Sequence, residues 1–221
     1  MPNHVTTILK SSPAVIAHLI KDGRVDFNTV IPSFEDGQGG CIMGHIETLA
    51  ESCVPFDDGQ FLAGMKSRNI LNSDVTKLDD DSFGKFIKML KNKREHGYFH
   101  GMEFNREKWG TKWNAYESLI ESDQVTFQTA WSHPLPVMVA LSKLFPNEEL
   151  AIQYADEDTG SNCGFFTLKG GETISENIAP DYNKQGAEEK KRWTRFAFEL
   201  CNKGCDPAEY GYDSDWNFIE E

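Results

Sequence analysis

The sequence predicts an α+β fold built on an antiparallel sheet. Three observations predict it: two strand–helix–strand runs, a long stretch of different character between them, and turn chemistry that suits antiparallel pairing. His4-Val5-Thr6-Thr7-Ile8-Leu9 is β-branched and apolar and reads as a strand. Ser12 offers a helix N-cap and Pro13 a first helical residue, followed by Val15, Ile16, Leu19 and Ile20 at helical spacing, with Gly23 as the stop. Residues 25–31 read as a second strand, closed by Pro32. Beyond Ser33 the pattern loosens. Gly37, Gly39 and Gly40 mark a loop and residues 41–49 a short helix. Asp79, Asp80 and Asp81 precede Phe83, Phe86, Ile87 and Leu90, an amphipathic helix with acids at its positive end. Residues 95–103 carry Gly97 and Gly101 and read as irregular.

Periodicity returns after Trp109. Val125, Phe127, Thr129 and Trp131 alternate with polar or small residues, giving a strand with one apolar face. Pro134 and Pro136 open a helix carrying Val137, Leu141 and Leu144, which Pro146 ends. Leu150, Ile152 and Tyr154 alternate as a further strand, Asp158-Thr159-Gly160-Ser161 supplies a turn, and residues 164–168 form its hairpin partner. Residues 188–201 are helical, with Trp193, Phe196, Ala197 and Leu200 on one side. Taken in order, these elements spell a ferredoxin-like split βαβ antiparallel sheet with an extra edge hairpin, a largely helical insertion and a C-terminal helix. The expected division is residues 1–32 with 105–170 for the sheet domain, 33–104 for the insertion, and 171–221 for the helix and an acidic, aromatic tail.

A chain of 221 residues that is 39% hydrophobic and 12% aromatic can bury a sizeable core. No apolar run approaches the ~20 residues that span a bilayer, and Met1-Pro2-Asn3-His4-Val5 lacks the basic-then-apolar order of a signal peptide, so a cytoplasmic setting and no membrane partner are expected. Cys41, Cys53, Cys163, Cys201 and Cys205 are odd in number and scattered, which suits reduced thiols rather than a disulfide framework. The net charge of −13 is uneven: residues 1–108 carry 15 acids and 13 bases, residues 109–221 carry 20 acids and 9 bases. A surplus of 11 negative charges in the second half repels nucleic-acid phosphates, so direct duplex DNA binding is not expected. It equally serves solubility, or recognition of a basic partner.

The run Trp109-Gly110-Thr111-Lys112-Trp113-Asn114-Ala115-Tyr116 is unusual enough to be diagnostic. Together with Phe127-Gln128-Thr129-Ala130-Trp131-Ser132-His133-Pro134-Leu135-Pro136 and Leu141-Ser142-Lys143-Leu144-Phe145-Pro146, it resembles the YubB family of phage and plasmid proteins. The opening Met1-Pro2-Asn3-His4-Val5-Thr6 is similar too. The resemblance covers the first thirty residues and about 105–168. It implies a ferredoxin-like domain, a source in a bacteriophage, a conjugative plasmid or a bacterium carrying one, and a place in the contest between mobile elements and host defences. It does not imply an iron–sulfur cluster, which needs closely grouped thiolates.

Several constellations could carry chemistry. Trp109, Trp113 and Tyr116 fall at helical spacing and read either as core or, with Lys112, Asn114 and Trp131, as a platform that stacks a ligand and reads its polar edges. His133, between a strand and a helix start, is the histidine placed to join it. Asp156, Glu157 and Asp158 at a strand end read as an exposed acidic tip or as oxygen ligands for a hard cation, without the spacing of an EF-hand loop. Cys41 with His45, His96 with His100 and Cys201 with Cys205 lack the spacing of zinc knuckles, and no metal or cofactor is expected. No Gly-x-Ser-x-Gly nucleophile elbow is present.

The tail places Tyr210, Tyr212 and Trp216 among Asp213 and Asp215, the aromatic-plus-acid mixture of a protein interface. The reading with most support is a non-enzymatic module that binds a host protein with a basic surface. An acidic antagonist of a defence complex, of the anti-CRISPR or anti-restriction type, is its concrete form. An enzyme or small-ligand site around Trp131, Lys112 and Asn114 is the alternative. Third comes a nucleic-acid-binding sheet, for which Lys85, Lys88, Lys91, Lys93 and Arg94 form the basic run.

Overall fold

Seven residues near the amino terminus, His4–Lys10, form β1, where Val5, Thr7 and Leu9 are fully buried. The structure is a computed structural model that describes residues 3–34, 44–54 and 74–219. The chain falls into two units, residues 1–32 with 105–221, and residues 33–104. After β1 come α1 (Pro13–Leu19) and a two-residue hairpin of β2 (Ile20–Lys21) and β3 (Arg24–Val25). Asp22 and Gly23 both take positive φ, 51° and 75°, which is what a two-residue hairpin turn with the strand twist requires. Next follow α2 (Gly44–Ser52), α3 (Asp80–His96) and α4 (Gly101–Lys108). The remaining elements are β4 (Tyr116–Ile120), β5 (Gln124–Ala130), α5 (Leu135–Leu144), β6 (Glu149–Asp156), β7 (Cys163–Lys169), β8 (Glu172–Ile178) and α6 (Ala187–Cys201).

Six strands form one antiparallel sheet in the order β4-β5-β1-β6-β7-β8. The first four, with α1 between β1 and β4 and α5 between β5 and β6, make the ferredoxin-like core. β7 and β8 extend the sheet beyond β6. Register decides the faces. Thr7 lies opposite Phe127 and Tyr154, and Leu9 opposite Val125 and Ile152, so one face is apolar and carries the core beneath α1 and α5. On the other face Thr6 lies between Gln128 and Ala155. There α6 covers Ala155 and Cys163 with Trp193 and Ala197.

Three sequence expectations are corrected. Residues 25–31 are not the second sheet strand. β3 ends at Val25, Asp26 accepts from the Asn28 amide to start a 3-10 turn, and Phe27 turns into the core edge-to-face with Trp109 and Phe127 at 5.7 and 5.8 Å. The second strand of the core is instead β4, beyond the insertion. Trp109, Trp113 and Tyr116 do not share a helix: α4 ends at Lys108 and Gly110 turns the chain at φ 76°. The polar segment after Gly170-Gly171 is a sheet strand, β8, rather than part of a tail. The expected irregular stretch 95–103 narrows to residues 97–100, because α3 runs to His96, where Gly97 closes it at φ 85°, and α4 starts at Gly101.

The smaller unit has its own core of Ile46, Leu49, Ala50, Phe86, Met89 and Phe99. Asp79 caps α3 by accepting from the Ser82 amide, as its place before the apolar run leads one to expect. Gly37, Gly39, Gly40 and Cys41 lie outside the described residues.

Trp109 is fully buried, and its indole N–H donates to the Ile31 carbonyl at 2.9 Å. Replacing it by alanine opens a cavity and strands that carbonyl. Trp109→Ala is expected to lower unfolding stability by about 3–5 kcal/mol in a urea titration, with Trp109→Phe costing clearly less.

Candidate binding site

Three small residues build the platform from below. Gly110 is required because a Cβ there would sit 2.7 Å from the Pro136 ring. Thr111 donates its hydroxyl to the Ala130 carbonyl at 3.0 Å, and Ser132 donates to the Gly110 carbonyl. This turn clamps the chain onto the end of β5 and brings Lys112 and Trp113 beside Trp131. The Lys112 ammonium lies 4.7 Å from the Trp113 ring and 4.8 Å from the Trp131 ring, held between two π faces. Trp131 is 47% exposed and adopts φ 66°. Its amide donates to the Asn3 carbonyl at 2.9 Å and its carbonyl accepts from Asn162 at 3.0 Å. An exposed indole is thus presented on a backbone fixed at both ends.

Asn114 does not join the platform. Its amide nitrogen donates to Asp26 at 2.7 Å, and its oxygen accepts from the Phe27 and Ala115 amides, each at 2.9 Å. Burial works to raise the Asp26 carboxyl, but hydrogen bonds from Asn114 and Asn28 outweigh it and hold the group below its usual value. Asn114 is therefore a brace across the 3-10 turn.

Of the three acids after Tyr154, Asp156 is 5% exposed and organises the loop that follows. Its carboxylate accepts from Asn3 at 3.2 Å, from the Asp158 amide at 2.9 Å and from Asn162 at 2.9 Å. Glu157 exchanges backbone and side-chain hydrogen bonds with His4, 2.9 Å from its amide to the His4 carbonyl and 3.0 Å from the His4 amide to its carboxylate. Glu157 and Asp158 face solvent. Among the described residues no three His, Cys, Asp or Glu side chains converge as metal ligands. Asn162 joins the two predicted clusters, bonding Trp131 with the same amide that reaches Asp156.

His133 lies apart from these groups. Its ring stacks on Tyr154 at 4.1 Å and lies 5.4 Å from Phe166, on the apolar face. Its Nδ1 is buried with no hydrogen-bond partner among the described residues. Burial alone pushes its pKa from 6.5 down to about 4, so the ring is neutral at pH 7.

The acidic, aromatic tail folds back on α6. Phe198, 2% exposed, is ringed by Tyr210, Tyr212 and Trp216 at 5.2, 6.0 and 5.4 Å. Asp213 closes a turn by accepting from the Asp215 and Asn217 amides, each at 2.8 Å. Asp215 remains exposed. Tyr212 meets the Thr159 hydroxyl at 2.5 Å, which ties the tail to the β6–β7 loop. Under the tail lies a groove of about 400 Å³ floored by His4, Thr6 and Gln128 and walled by Glu157, Asn202 and Tyr212. Of these only Glu157 and Tyr212 stood out in the sequence. The missed signal is the set of polar residues on β1 and β5 opposite the apolar register.

The His133 ring gives a pH-dependent component of stability. Its folded pKa is depressed, so between pH 6.5 and about 4 the unfolded chain binds more protons than the folded one. Stability from this group is complete above pH 6.5 and is lost as pH falls through that window, by up to about 3 kcal/mol. In urea titrations at stepped pH, His133→Phe should flatten this part of the profile.

Residues 108–196 match a family model described as a ferredoxin-like domain in Api92-like protein. No curated protein matches the chain. Among solved structures, the crystal structure of protein api92 from Yersinia pseudotuberculosis is 9% identical, covering 81% of this chain and 99% of that one with a TM-score of 0.36. The chain therefore carries a ferredoxin-like domain similar to the one in Api92-like proteins.

Proposed function

We propose that this protein is a non-enzymatic module, carried by a phage or plasmid and acting in the cytoplasm of the bacterial host, that binds a host protein bearing a basic surface. The observation that carries the reading is Trp131: half-exposed, at positive φ, and held by main-chain bonds on both sides. A pinned aromatic loses little conformational freedom on binding, which is the property of a contact residue that contributes strongly to affinity. The Lys112 ammonium between the two indoles carries one positive charge, and the exposed acids of the neighbouring loop, Glu157 and Asp158, outnumber it. Such a surface suits lysine- and arginine-rich partners and steers them on approach. The YubB-like sequence motifs support a mobile-element source. An acidic antagonist that occupies the nucleic-acid groove of a host defence complex is the form that unites charge with source.

Trp131→Gly separates contact from folding, because glycine takes φ 66° without strain. The thermal unfolding midpoint should stay equal or rise. Capture of the partner from nuclease-treated bacterial lysate should fall at least tenfold. Undiminished capture by the variant, or recovery that depends on nucleic acid, would sink the reading.

A further inference from the structure

We infer that the groove between the second sheet face and the folded tail is a binding site for an organic cation, a guanidinium or an alkylammonium group. The inference is independent of the Trp131 platform. Its volume, about 400 Å³, falls in the range of small-ligand sites. Charge selects the ligand. Among the described residues no lysine or arginine lines the groove, while Glu157 does, so a phosphate or carboxylate would enter against an uncompensated negative charge.

The free hydrogen-bonding groups point the same way. The Glu157 oxygen that meets the His4 amide leaves a second carboxylate oxygen for a ligand. Gln128 on the floor and Asn202 on the wall make no side-chain hydrogen bond to another described residue, so each offers an amide oxygen as acceptor. Other polar groups are already committed. The His4 Nδ1 pairs with the Tyr116 hydroxyl at 2.8 Å, and Thr159 pairs with Tyr212. The Cys201 thiol, raised by burial, donates to the Ala155 carbonyl at 3.4 Å and stays neutral.

Tyr210 and Tyr212 complete the wall with aromatic rings, whose faces attract cations. One carboxylate, two side-chain amides able to turn their oxygens inward and two phenol rings, with no lysine or arginine among them, form a lining whose acidic charge is Glu157. That chemistry receives a multi-donor cation and rejects an anion. The ligand reaches the groove either as a free amine or as an arginine or lysine side chain of a polypeptide.

The test uses the full chain labelled with nitrogen-15, and follows the side-chain amide signals of Gln128 and Asn202 on titration with three probes. Agmatine represents the free amine, N-acetylarginine amide the side chain, and N-acetylcitrulline amide a neutral isostere. Saturable shifts of both amides with either cation, at least tenfold weaker for the citrulline compound and at least tenfold weaker in Glu157→Gln, are expected. The variant should keep its thermal unfolding midpoint, since glutamine still accepts from the His4 amide. Tighter agmatine binding assigns the site to free amines, and tighter acetylarginine binding assigns it to a polypeptide side chain. Either supports the site. Unmoved amides, or equal binding of the neutral compound, overturn it. Loss of partner capture in Trp131→Gly leaves these titrations unchanged, so the two readings fail separately.

Discussion

Pairing of β1 along both edges is the constraint on which the larger unit depends. Residues 4–10 meet β5 on one side and, from Val5 onward, β6 on the other, though both partners lie more than a hundred residues further along the chain. Closing so long a loop costs entropy before any of those contacts form, so the sheet assembles late around a strand made first. The amino-terminal end of the strand does more than complete the sheet. The Asn3 carbonyl holds the Trp131 amide, and the Asn3 side chain reaches both Asp156 and Asp158. His4 bonds Glu157 through its backbone and lends its ring to the groove. Platform, acidic loop and groove all converge on two consecutive residues.

Legibility in the sequence followed physical scale. β1, β5, β6, β7, α5 and α6 were readable because each places apolar residues at a clear period of two or 3.6, and the sheet buries them accordingly. β8 was not, because an edge strand with both faces exposed has no burial to imprint a period on it. Residues 25–31 looked like a strand because Val25, Phe27, Val30 and Ile31 suit one. A single Asp26 side chain, by capping the Asn28 amide, decides otherwise. The tryptophan run was recognisable as a motif but not as a shape. Its helical spacing is incidental to a turn that Gly110 makes possible. The structure brings Lys112, Trp113 and Trp131 together, whereas Asn114 and His133 turn elsewhere, and the sequence does not say which way each side chain faces.

The tail shows how one composition serves two ends. Asp206 and Asp213 accept main-chain amide hydrogens and so shape the turns, while Asp215 and Glu209 stay exposed and supply charge. Tyr210, Tyr212 and Trp216 look like loose contact aromatics in the sequence, yet they enclose Phe198 at the end of α6. Truncating the chain before them would uncover that ring and open the groove together. A deletion therefore confounds folding with binding, and single substitutions do not.

Positive φ at ordinary residues is costly, by roughly 1–2 kcal/mol for a bulky side chain, so each instance asks for a cause. Asp22 and Asn162 are residue types that tolerate it, one in a hairpin turn and one bonded to both Trp131 and Asp156. Glu117 sits at the irregular step in the β4–β5 register. Trp216 occupies the turn that Asp213 closes, and its ring is repaid by packing on Phe198. Trp131 has no comparable return within the described residues: its ring stands half in water, with only the Lys112 ammonium across its face. The backbone alone would favour glycine there, and that unreturned cost is the observation on which the proposed contact role rests.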